Sequence, residues 1–143
     1  INDTLSKFRE TIKEASSIAT GYPFTPPFTY TTASTQIVLT TPAIDSLGNI
    51  ITNVFDYYVF LKDGDKLKFM IFPDIQSSRI STDQILSLNT KEVLFQYFDS
   101  QNPPQQVAPA SATRIRMTLN LRQKSGAGYE EHIATTEASL RND

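Results

Sequence analysis

The stretch INDTLSKFRETIKEASSIAT, residues 1–20, decides how the rest of the chain is read. Its apolar residues Ile1, Leu5, Phe8, Ile12, Ala15 and Ala19 recur at alternating steps of four and three, the spacing that lines up one face of an α-helix. The other faces carry Asp3, Lys7, Glu10, Lys13 and Glu14, with Asp3 and Lys7 placed for a favourable ion pair one turn apart. Gly21, Tyr22 and Pro23 follow, and a glycine cap before a proline is a strong stop signal. The spacing predicts a long helix over residues 1–20 whose apolar side, Leu5, Phe8, Ile12, Ala15 and Ala19, packs on a sheet. The stripe already includes Ile1, and the chain opens without methionine. We therefore expect a helix that runs in from an upstream apolar segment of about 20 or more residues, enough to enter a membrane.

Beyond the helix the pattern changes twice. Residues 21–35 hold three prolines and no period, and read as an extended connector. From residue 36 onward the chain reads as strand, rich in threonine and alternating apolar residues. In the clearest hairpin Phe55, Tyr57, Val59 and Leu61 alternate, Lys62-Asp63-Gly64-Asp65 turns, and Leu67, Phe69 and Ile71 alternate back. A strand over Val93 to Phe98 leads into a second connector at 99–112, broken by Pro103, Pro104 and Pro109. Then Ile115, Met117, Leu119 and Leu121 alternate with Arg114, Arg116, Thr118, Asn120 and Arg122. Residues 124–128 turn the chain, and a return strand from Tyr129 to Leu140 pairs antiparallel with its predecessor. The expected architecture is one α+β domain, residues 1–143: a long N-terminal helix packed on an antiparallel sheet.

Composition narrows the chemistry. The 143 residues carry 13 basic and 15 acidic side chains, a net charge of −2, so there is no electrostatic footprint for nucleic acid. The chain has no cysteine and one histidine, which removes thiolate chemistry, disulfides and multi-histidine metal centres. His132 beside Glu130 and Glu131 resembles a general base, but strand neighbours point to opposite faces and Glu130 lies roughly 7 Å along the strand. Asp45, Asp63, Asp65 and Asp74 sit in turns without the spacing of a calcium loop, where a carboxylate ordinarily bonds its own backbone. Arg114, Arg116 and Arg122 are read as cross-strand partners for Glu130 and Glu137. Tyr57, Tyr58, Phe60 and Tyr97 are read as core aromatics rather than a sugar-stacking platform. No catalytic residue, cofactor or metal ligand is assigned, and no enzymatic activity or small-molecule substrate is expected.

The amphipathic helix, the proline-rich connector and the sheet together resemble the exposed part of a type IV pilin-like protein. The last third carries the most specific likeness: LFQYFDS at 94–100, ATRIRMTLNLRQK at 112–124 and YEEHIATTEASLRND to the end are similar to minor pseudopilins of the J type and to W-type minor pilins. The resemblance implies a pilin-like fold and a structural role, helping to initiate or cap a type IV pilus or a type II secretion pseudopilus in pilus assembly or protein transport. It implies an extracytoplasmic domain anchored in the cytoplasmic membrane by a missing N-terminal helix, with sibling pilin-like subunits as partners. Lys7, Glu10 and Glu14 then become the expected subunit contacts. The alternative is a cell-surface adhesin domain that holds a glycan.

Overall fold

A computed structural model describes residues 2–141. The chain runs through helix α1 (Asn2–Glu14) and ten strands: β1 (Ser17–Ala19), β2 (Gly21–Tyr22), β3 (Tyr30–Thr31), β4 (Gln36–Ile44), β5 (Ile50–Asp63), β6 (Lys66–Phe72), β7 (Thr82–Ser87), β8 (Thr90–Phe98), β9 (Arg114–Ser125) and β10 (Gly128–Ser139). A single 3-10 turn at Pro109–Ser111 interrupts the second connector. The expected long helix on a sheet is corrected here. Of the described residues 55% are strand and 11% helical, and their one α-helix is short.

The helix stops at Glu14 for a reason the spacing could not reveal. The Ala15 N–H still bonds back to the Thr11 carbonyl, but the Ser16 N–H donates instead to the Thr40 carbonyl, and residues 17–19 pair with residues 38–40 of β4. Serine is a weak helix former whose hydroxyl competes for backbone groups, and both Ser16 and Ser17 hydroxyls meet Thr40. Ala19 therefore belongs to a strand, and the spacing that tied it to Ala15 is coincidental. Gly21 is no helix cap. It sits in β2, where a Cβ would lie 2.5 Å from the Phe28 ring and 2.7 Å from the Tyr30 carbonyl oxygen.

The strands form two main antiparallel sheets, one of five strands in the order β1-β4-β5-β6-β7 and one of three in the order β10-β9-β8. They share one core, in which Ile37, Leu39, Phe60 and Phe69 of the larger sheet meet Phe95, Ile115, Met117 and Leu119 of the smaller. Between the edge strands β7 and β10, α1 fills the remaining gap. Phe8, fully buried, sets its ring 5.3 Å from Phe60 in one sheet and 5.8 Å from Phe95 in the other. Burying such a ring contributes roughly 2–3 kcal/mol. Thr4 donates its hydroxyl to the Leu86 carbonyl on β7, and Arg9 donates to the Thr136 hydroxyl on β10. The helix packs along β10, shielding that edge from pairing with other chains, and touches β7 at Thr4.

The 21–35 connector is corrected as well. Its β2 and β3 pair as a small flap over the other face of the five-stranded sheet, where Tyr22 and Tyr30 cover Val38, Val59, Leu61 and Met70. That flap also puts the two alternating sets of the hairpin on opposite faces. Val59 pairs with Met70 and Phe60 with Phe69, so Val59 and Leu61 face the flap while Phe69 and Leu67 face the main core. The turn itself is tighter than expected: Asp63 pairs with Lys66, and Gly64 takes φ +64° at the first central position. Strand β7, half exposed and without alternation, lies in the region read as strand but was not placed individually.

Candidate functional site

Because its two flanks are tied to different sheets, α1 presents a defined outer surface. On one flank the Lys7 ammonium lies 4.8 Å from the centre of the Phe69 ring of β6, and on the other Arg9 holds β10. Thr4, Phe8, Thr11 and Ile12 point inward and are buried, and Ala15 just past the helix is buried with them. Leu5 is half-buried against the same core. Asn2, Asp3, Glu10, Lys13 and Glu14 are left exposed, with half-buried Ser6 among them. Helical spacing places Asp3, Ser6, Glu10 and Lys13 along one stripe. Of the expected packing residues, Leu5, Phe8, Ile12 and Ala15 thus share the inner side, whereas Ala19 lies in β1 and packs against the flap-side cluster. Of the expected contacts, Glu10 and Glu14 are exposed, while Lys7 is half-buried and engaged with its own sheet.

A second feature went unread. Asp56 interrupts the apolar run of β5 and is fully buried, a position in which a carboxylate requires partners. It finds them in the 73–81 loop: the Asp74 N–H at 2.8 Å, the Ser77 hydroxyl at 2.7 Å and the Arg79 guanidinium at 2.7 Å. Arg79 also donates to the Pro42 carbonyl and lies over the Tyr58 ring. The Ser78 N–H and hydroxyl reach the Ile44 and Asp45 carbonyls, joining this loop to the β4–β5 turn. The two segments turn their polar groups inward and expose their aliphatic ones. Leu47 is 84% exposed, Ile75 98% and Ile80 81%. A lone Asp in an apolar strand was the signal for the ion pair; its partner, 23 residues later in an irregular loop, carried no pattern.

The remaining candidates resolve individually. His132 Nε2 lies 3.7 Å from Glu130 Oε2, closer than strand spacing suggested, but both side chains are more than half exposed. Glu137 pairs with Arg114 and with Arg116, whereas Arg122 stacks 3.8 Å from the centre of the Tyr129 ring and Glu130 meets His132. Glu131 pairs with Lys91, and hydrogen bonds from Lys91 and Asn120 hold its carboxyl below the usual range. Asp45 accepts the N–H groups of Leu47 and Asn49, and Asp74 accepts that of Gln76. Asp63 and Asp65 flank Gly64 in the β5–β6 hairpin turn. No group of acidic or histidine residues among the described residues is arranged to hold a metal ion. Tyr58, Phe60 and Tyr97 are buried, and Tyr57 is covered by the Tyr22 ring at 5.2 Å, so these aromatics form no exposed platform. Tyr97 donates its hydroxyl to the Ala33 carbonyl at 2.7 Å, and burial raises its phenol above the usual range.

No helix of the described residues is long and apolar enough to cross a membrane. Compared with known proteins, the chain matches no family model, no curated protein and no solved structure.

Proposed function

We propose that this protein is a structural subunit of a pilus or secretion pseudopilus, a minor pilin-like component that acts by assembly rather than by catalysis. The observation that carries this reading is the setting of α1: a helix locked to two sheets by its inner face and flanks, with an ordered polar stripe of Asp3, Ser6, Glu10 and Lys13 facing out. Such a stripe suits side-by-side packing against a neighbouring helix, where opposite charges set partner and register. The segments that resemble minor pilins support it further, since they fold as β8, β9 and β10, the sheet that receives α1. The exposed aliphatic side chains Leu47, Ile75 and Ile80 lie on two loops that hydrogen-bond to each other through Ser78, and we read them as a second contact surface.

The test is co-assembly. The full-length protein is expressed with its genomic neighbours, filaments or membrane complexes are isolated, and sibling pilin-like subunits are identified in them. The reading predicts their recovery with the wild-type protein and their loss with a Glu10→Lys, Lys13→Glu double reversal. Recovery of the protein free of any such subunit, at all expression levels, would overturn it.

A further inference from the structure

Strands β4 to β7 pair antiparallel in sequence order, so the β4–β5 turn at 45–49 and the 73–81 loop between β6 and β7 emerge at the same end of the five-stranded sheet. Ser78 ties the two together through the Ile44 and Asp45 carbonyls. The charged residues of these loops are Asp45, Asp74 and Arg79, and each is half-buried. Asp45 and Asp74 accept N–H groups of their own loops, and Arg79 is bound to Asp56. Every exposed residue of the two loops is uncharged, and Leu47, Ile75 and Ile80 are among them, with Ile50 exposed at the start of β5.

The backbone donors at this end are already bonded within it. The N–H groups of Leu47, Gly48 and Asn49 go to Asp45, those of Gln76 and Ser77 to Asp74, and those of Ser78 and Arg79 to Ile44 and Ser77. Water would satisfy such donors on an ordinary surface loop, whereas a loop that enters a less polar medium must satisfy them itself. The exposed apolar side chains are all aliphatic, and neither loop holds a tyrosine or tryptophan of the kind that anchors a protein interface. Neither holds a lysine, and Arg79 is engaged, so nothing here attracts an anionic headgroup.

We propose that this end of the sheet dips into the surface of a neutral lipid bilayer, with Leu47, Ile75 and Ile80 entering its apolar boundary. The bonds of Ser78 and the Asp56–Arg79 pair hold the two loops in place behind them. Hydrocarbon withdraws aliphatic side chains from water without requiring a partner of matching shape. The inference names the occupant of the second contact surface, and it stands on these loops alone, independent of the outer stripe of α1.

The experiment uses the 143-residue chain without sibling subunits, so that failure here leaves the filament reading untouched. The chain should co-sediment with phosphatidylcholine vesicles, to the same extent in low and high salt and with no gain from anionic lipid. Ile75→Ser should weaken partitioning about tenfold at an unchanged melting temperature, the effect of one aliphatic side chain left in water. The chain has no tryptophan, so Ile75→Trp supplies a single reporter whose emission should shift to the blue when vesicles are added. Leu88→Trp, exposed at the opposite end of the sheet near the β5–β6 turn, should show no shift. No binding to neutral vesicles, binding that needs anionic lipid or is lost in salt, indifference to Ile75→Ser, or an equal blue shift in Leu88→Trp would each overturn the proposal. Self-association that Ile75→Ser abolishes, without vesicle binding, would overturn it too and assign the surface to a second copy of the chain.

Discussion

The two faces of the five-stranded sheet are both covered, yet by different means. The inner face meets α1 and the three-stranded sheet, and the large side chains of that contact, Phe60 and Phe69 of the inner face with Phe8 of α1 and Phe95 of β8, are almost wholly removed from water. Among the described residues the outer face meets the short β2–β3 flap, which lays Tyr22 against Phe72 at 4.4 Å and Tyr30 against the same ring at 5.8 Å. Those tyrosines remain half exposed. Burial depth rather than the number of rings sets what each face contributes, because the apolar term scales with area withdrawn from water. The inner face should therefore hold the fold together, while the flap should open locally at much lower cost.

The strongest attack on the inner face is Phe8→Ala. Loss of the ring and the cavity between two sheets should cost roughly 3–5 kcal/mol, read as the urea midpoint of the isolated domain. Asp56→Ala comes next. It strands the Arg79 guanidinium beside Tyr58 and releases the 73–81 loop, and breaking a buried pair from one side costs about 3–5 kcal/mol, less here because Arg79 is partly exposed. Hydrogen exchange in residues 74–79 should rise together with the stability loss. On the outer face, Gly21→Ala pushes a methyl into Phe28 and the Tyr30 carbonyl, and should cost about 1–3 kcal/mol. Its exchange protection should fall in residues 20–32 while the inner core keeps its own.

Alkaline pH distinguishes the faces by a smaller margin. Burial raises the phenols of Tyr97, Tyr58 and Tyr57 above the ordinary value of 10.0. A group whose pKa is higher folded than unfolded contributes stability that is complete below the unfolded value and is lost as pH rises through the folded one. Stability should accordingly be flat between pH 7 and 9 and fall above pH 10. Tyr97→Phe should shallow that fall and cost about 1 kcal/mol at neutral pH, the net worth of its hydrogen bond to Ala33.

The same contrast explains what was legible in the chain. The β9–β10 hairpin could be read because one face of it is buried and the other wet, so Ile115, Met117 and Leu119 alternate cleanly with Arg114, Arg116 and Thr118. Strands β5 and β6 are covered on both faces, and alternation then no longer says which residues share a side; Val59 and Phe60 are both buried. Helix α1 was visible up to its last turn, since its stripe is local. Its end was not, because Ser16 and Ser17 are claimed by Thr40 on β4, a partner 23 or more residues away. For the same reason Phe8 and Ile12 were found on the inner side, whereas the engagement of Lys7 with Phe69 and of Asp56 with Arg79 depends on tertiary neighbours.

The filament reading rests on the outer stripe of α1, and one paired measurement tests it most directly. A Glu10→Lys, Lys13→Glu variant is compared with the wild type in a melting curve of the domain and in co-assembly of the full-length protein with its sibling subunits. Exposed charges contribute under about 1 kcal/mol, so the melting temperature should hardly move. Co-assembly should be lost, because the reversed stripe sets like charges against a neighbouring helix. Full co-assembly by the reversed variant at an unchanged melting temperature would contradict the account.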